Sequence, residues 1–232
     1  MADQFIPKQT IEEEAIKLLH QYGKQYGLIT KPPIPIEEIV ECTLDLSFEF
    51  DDLIGIFNCP DILGASWLEE KRVVIDQSLD PSVFPGKEGR YRFTVAHEVG
   101  HWILHAPTIL AKKQQPTLFD MSDGKPSLIC RSSSAKEPME WQADFFASLL
   151  LMPEMMVRTA WTNLTGSPGC MNVADEILNL RMRFMVTNEA SDPICTVSKD
   201  MAKVFKVSAQ AMQIRLQNMN LLATKQASGG LF

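Results

Sequence analysis

Residues 93–105 read FTVAHEVGHWILH, and no other stretch constrains the possible folds of this chain so tightly. His97 and His101 are four apart, so on a helix they stand one turn above each other on the same face. Two imidazoles placed in this way can both reach one cation at about 2.0–2.1 Å, the ordinary zinc–nitrogen distance. Glu98 adjoins the first of them but points in another direction. It can therefore hold an attacking water and take its proton without binding the cation itself. Val95, Val99, Trp102 and Ile103 give the helix a face to bury. A pair of hydrogen-bonded core histidines is the bland alternative, but a structural helix has little reason to bury two histidines and a glutamate.

A hydrolytic site of this kind needs a third protein ligand and one position left for water. After His101 come Trp102, Ile103, Leu104 and His105, which does not continue as H-x-x-G-x-x-H. The segment PMEWQADFFASLLLM, residues 138–152, reads as a second apolar helix that stops before Pro153. Glu140 and Asp144 share one of its faces. Their spacing suggests Glu140 as ligand and Asp144 as the acceptor for the free ring nitrogen of a ligand histidine. Glu137, Asp144 and His105 stay open as rival ligands. On purely structural grounds, Glu140 is a first-turn acid favoured by the helix dipole, and Asp144 is a solvated face residue.

The rest of the chain fits a globular protein. Its 232 residues allow one sizeable domain with a smaller one beside it. A net charge of −7 argues against general affinity for nucleic acid or anionic lipid. The N-terminus lacks the cationic start and apolar run of a secretory signal, and no stretch is long and apolar enough to span a membrane. Five scattered cysteines with no Cys-x-x-Cys pair suggest reduced thiols in a cytoplasm, most of them filling the core.

Residues 9–26 carry apolar side chains at Ile11, Ala15, Leu18, Leu19 and Tyr22, close to a helical period. Prolines forbid a regular helix until about Ile36, where IEEIVECTL starts a short one. LSFEFDDLIGIF, GASWLEE and KRVVIDQSL read as strands of a small antiparallel sheet. Residues 106–136 form a long polar segment, the kind that lines or closes a site. Another helix begins within 154–163, and LTGSPGC is the best candidate linker. Residues 170–196 give no clear pattern.

RYRFTVAHEVGHWILH followed by EWQADFFASLLLMP resembles the ImmA/IrrE metallo-endopeptidases. Their pattern joins R-x-x-F-T-x-A-H-E-x-G-H-x-x-x-H to E-x-x-A-(N/D)-x-F-A-x-x-L-L-M-P. The likeness covers about residues 10–155 and is dense at the two motifs. It implies an α+β, zincin-like domain over residues 1–163, with a small antiparallel sheet packed on the two ligand helices. It implies zinc held by His97, His101 and Glu140, with Glu98 as catalytic base; manganese or iron could use the same ligands. It also implies a zinc endopeptidase whose substrate is a protein partner, a DNA-binding repressor, in a stress response or mobile-element induction. His105 falls on a frequent family histidine. Val73, Val74 and Ile75 lie in the strand nearest the first motif, and this strand is the expected edge for substrate pairing.

Residues 164–232 are expected to form a helical C-terminal region. Within it, DMAKVFKVSAQAMQIRLQNMNLL, residues 200–222, resembles a helix-turn-helix. Ala202, Val204 and Phe205 pack one helix, Ser208 caps the next, and Met212 and Leu216 pack it back. Lys206 stands where such motifs often have glycine. Lys199, Lys203, Lys206 and Arg215 make the segment locally basic. Gln210, Gln213 and Gln217 are expected to be exposed on the second helix. Either the region touches DNA or it is a subdomain that docks the substrate or braces the core. The alternative to an enzyme is a regulator that binds a partner or DNA through the same shell.

Overall fold

The computed structural model describes residues 5–113, 126–131, 137–185 and 192–225. The chain divides into two compact units, Met1–Leu151 and Met152–Phe232. The helix within 154–163, assigned on sequence to the first domain, belongs to the second unit.

The first unit opens with α1 (Lys8–Tyr26), which buries Ile11, Ala15, Leu18 and Tyr22, the stripe its period requires. A short helix α2 (Ile36–Glu38) runs into a π-turn at Ile39–Thr43. Then come β1 (Ser47–Asp51), α3 (Leu53–Phe57), β2 (Ile62–Trp67) and β3 (Arg72–Asp76). The alternation in LSFEFDDLIGIF therefore continues as a strand only to Asp51. Asp52 caps a new helix by accepting from Gly55 N at 2.9 Å, and the apolar LIGIF residues form that helix. Helices α4 (Glu88–Leu104) and α5 (Ala106–Lys113), strand β4 (Leu128–Arg131) and helix α6 (Pro138–Leu151) complete the unit. The expected long irregular segment thus contains a helix and a strand. Its residues 114–125 and 132–136 lie outside the described residues.

The strand order is β1-β3-β2-β4. The sheet is mixed rather than antiparallel, because β1 runs parallel to β3 while β2 is antiparallel to both β3 and β4. The crossover through α3 allows that parallel pairing. One face of the sheet meets α4. On the other, Ala65, Trp67 and Val74 pack with Leu53.

The order also corrects the expected substrate edge. Val73, Val74 and Ile75 are buried in β3, which is paired on one side with β1 and on the other with β2. A strand bonded on both sides has no backbone groups left for a peptide. Its run of apolar residues marks a strand buried on both faces. The edges of this sheet are β1 and β4.

The second unit holds α7 (Glu154–Thr165), β5 (Met171–Asn172), α8 (Ala174–Phe184), α9 (Thr196–Phe205), α10 (Ala209–Asn218) and β6 (Leu222–Ala223). Strands β5 and β6 pair in parallel. Gly166, at φ 73°, ends α7 within the expected linker. Ser208 caps α10 by accepting from Ala211 N, while Lys206 takes the left-handed conformation at φ 51° that a glycine would adopt more easily. Met201, Ala202 and Phe205 of α9 and Met212 and Leu216 of α10 are buried. Val204 is half-exposed at 49%, so it does not contribute to that packing. Gln213 is buried as well: its Oε1 accepts from Cys195 N at 2.9 Å. Arg215 Nε donates to the Met152 carbonyl at 3.1 Å. Of the three glutamines expected on the surface, only Gln210 is fully exposed, and Gln217 is partly so.

Candidate metal centre

Helices α4 and α6 cross closely, and the crossing point is set by two small residues. A Cβ at Gly100 would stand 3.1 Å from both the Cα and the carbonyl oxygen of Ala143. Gly100 lies between His97 and His101, and Ala143 between Glu140 and Asp144. The close approach of the two backbones therefore brings both pairs of functional side chains together.

His101 Nε2 lies 3.2 Å from Glu140 Oε1, and His97 Nε2 lies 3.3 Å from Glu140 Oε2. The two imidazoles thus face the two oxygens of a single carboxylate. Both nitrogens are nevertheless buried without a properly formed hydrogen bond, as is Glu98 Oε1. Buried polar atoms are almost always satisfied, and several orphans beside a carboxylate are a donor set that could hold a divalent cation. Burial opposes the charge of Glu140, but the two imidazoles against it outweigh burial and hold its pKa at about 2. Burial lowers His101, which favours the neutral ring that a ligand must have.

The outward nitrogens of both rings are also engaged. Asp144 Oδ1 lies 2.8 Å from His97 Nδ1. An ionised carboxylate can only accept, so Nδ1–H donates and Nε2 is the nitrogen left to face a cation, whose binding would displace any proton there. On the other ring, His101 Nδ1 lies 2.9 Å from His105 Nδ1, and His105 Nε2 lies 2.9 Å from Gln142 Oε1. The Gln142 amide oxygen accepts from His105 Nε2–H. His105 Nδ1 must then accept from His101 Nδ1–H, which again leaves an Nε2 lone pair facing inward. Burial pushes His105 down to about 4, so it serves this relay as a neutral ring. His105 is itself 5% exposed. It faces His101 and Gln142, not a substrate groove, and Glu137 is exposed outside the cluster.

Glu98 is fully buried against β2. Ser66 Oγ donates to its Oε2 at 2.5 Å, and a Cβ at Gly64 would come within 2.7 Å of its Oε1. Burial pushes its pKa up to about 7, against the lowering influence of His97 and Ser66. A carboxyl poised there can take a proton and give it back near neutral pH.

Tyr91 and Arg92, which precede the first motif, serve the fold. Arg92 donates to the Ile34 carbonyl and approaches Glu37 at 3.5 Å. The Tyr91 ring packs against Phe48 and Phe50.

Three neighbours of the site carried no signal in the sequence: Ser66, Gln142 and Cys130. A ring nitrogen of His97, a carboxylate oxygen of Glu140 and Cys130 Sγ lie within 4.8 Å of one another. Strand pairing alone puts the cysteine there, since Cys130 sits opposite Gly64. No local spacing could have revealed it.

No curated protein matches the chain. Among solved structures, a Mycobacterium tuberculosis transcriptional regulator is 11% identical at a TM-score of 0.44; the match covers 96% of this chain and 53% of that one, so the chain spans about half the length of that protein. Among the described residues no helix is long and apolar enough to cross a membrane. The family model for the M78 peptidase, or IrrE N-terminal-like, domain matches residues 71–217, which include both motif helices, and the chain belongs to that family.

Proposed function

We propose that the chain is a metal-dependent endopeptidase in which His97, His101 and Glu140 hold one divalent cation and Glu98 is the general base. The observation that carries this reading is the pair of buried, unpartnered Nε2 atoms, 3.3 and 3.2 Å from the two oxygens of Glu140. Imidazole and carboxylate donors suit zinc, and also accept manganese or iron. When bound, the cation supplies a Lewis acid for the scissile carbonyl. Glu98, held by Ser66, takes a proton from the attacking water and passes it to the leaving amine. Asp144 fixes the tautomer of His97, and the Gln142–His105 pair fixes that of His101.

The proposed substrate is a protein partner, a DNA-binding transcriptional repressor whose cleavage relieves repression in a stress response or in mobile-element regulation, inside a cytoplasm. Co-incubation with a repressor encoded beside the gene, with and without chelator, tests this. Chelator-sensitive cleavage supports it, and an intact repressor at full metal loading argues against it. For the site, Glu98→Gln keeps the metal and loses hydrolysis by about 10²–10⁴-fold, whereas His101→Ala loses both. Cleavage by Glu98→Gln at the wild-type rate would sink the mechanism.

The helix-turn-helix-like pair α9–α10 supports a non-proteolytic reading as well, in which the region binds DNA. Lys199, Lys203 and Lys206 are exposed there, but Gln213 and Arg215 are occupied inside the unit. That leaves few side chains for bases or phosphates. A salt-dependent gel shift with the full chain would favour DNA contact.

A further inference from the structure

We propose that Cys130 is a fourth protein ligand of the same cation, so that the resting centre is closed by two histidines, a glutamate and a thiolate. This rests on the metal-site reading above and goes beyond it, because a hydrolytic centre with three protein ligands keeps one position open, whereas four protein ligands make a closed one.

Several observations converge on the thiol. Cys130 is 6% exposed, and its sulfur belongs to the cluster with His97 and Glu140 in which all ligand atoms lie within 4.8 Å. His97, at 3% exposure, turns into that cluster the one ring nitrogen that lacks a hydrogen-bond partner. The register explains the placement. In the antiparallel pair, Cys130 faces Gly64 and Leu128 faces Ser66, so Cys130 shares a sheet face with the two residues that border Glu98. With no side chain at Gly64, the space beside the cysteine is taken by the Glu98 carboxylate. A buried thiol is most often an apolar filler, but a filler has no need to stand among a metal ligand set.

Ligation replaces the S–H bond by a sulfur–metal bond, and the thiol proton is released to solvent. No electrons are exchanged. Opening the fourth position then requires the sulfur to leave the cation. Because β4 is an edge strand, paired among the described residues with β2 alone, its displacement breaks one ladder of hydrogen bonds and not two. The structure thus places a removable ligand on the less anchored side of the sheet.

The test uses the full chain, stripped of metal and titrated with cobalt(II) under reducing conditions. One equivalent should bind with a tetrahedral visible spectrum and a thiolate-to-cobalt charge-transfer band in the near ultraviolet. Cys130→Ser and Cys130→Ala should still bind cobalt but lose that band, while Cys59→Ser, changed at another incompletely exposed cysteine, keeps it. The serine variant guards against a folding defect, and the wild-type spectrum alone already tests the idea. Cobalt bound by the wild-type chain without a thiolate band overturns the proposal and leaves the three-ligand reading standing. Failure of the wild-type chain to bind cobalt overturns both.

Discussion

Gly64 and Glu98 occupy one space: a Cβ on the glycine would stand 2.7 Å from the carboxylate oxygen of the glutamate. The glutamate is the yielding partner in that contact, since its far end can move and the β2 backbone cannot. Gly64→Ala should therefore displace the carboxylate and spare the fold. Hydrolysis should fall by about 10²-fold, the cost of a misplaced group of about 1 Å, while urea unfolding shows a loss of no more than about 1–3 kcal/mol, the range for added bulk in a packed core. Unchanged turnover would mean that Glu98 does not act from this position.

Gly100 and Ala143 set the separation of α4 and α6. Gly100→Val adds a branched side chain against backbone, which has nowhere to go. The helices must part, and the two imidazoles move away from Glu140. Metal content measured by elemental analysis should drop along with thermal stability, whereas Ala143→Gly should retain the metal.

In the proposed metal site, Asp144 and His105 act through His97 and His101. Asp144→Ala leaves His97 Nδ1 without its acceptor, and His105→Phe does the same to His101 Nδ1. Each should weaken metal affinity by about 10–100-fold, the usual cost of losing such a partner. Competition with a chromogenic chelator measures this. Gln142→Leu should reproduce the His105 effect in weaker form, because it removes the acceptor that orients His105.

On α1, the Tyr22 hydroxyl donates to Glu38 Oε2 at 2.5 Å. That bond, with burial and the glutamate charge, raises the phenol from 10.0 to about 12. The folded state therefore keeps the proton where the unfolded chain has lost it. The stabilisation is complete below pH 10 and disappears as pH rises through about 12. Thermal unfolding of wild type and Tyr22→Phe between pH 9 and 12 should show the larger alkaline decline in the wild type. Parallel curves would mean the bond contributes nothing.

By itself, the sequence determined the helices that carry His97, His101, Glu140 and Asp144, because a four-residue repeat on a helix is a local property. It also located the cap at Ser208 and the stripe on α1, both of which depend on residues a few positions apart. The strand reading past Asp51 missed a cap at Asp52 that is equally local. Everything decided by pairing between distant segments came from the tertiary structure. Strand order made Val73–Ile75 an interior strand, and register put Cys130 opposite Gly64 and brought Ser66 to Glu98. The pairings of β1 with β3 and of β2 with β4 join residues tens of positions apart, and a one-residue slip reverses which side chains face the site. No spacing along the chain encodes that choice, so the fold alone settles which side chains surround the motif.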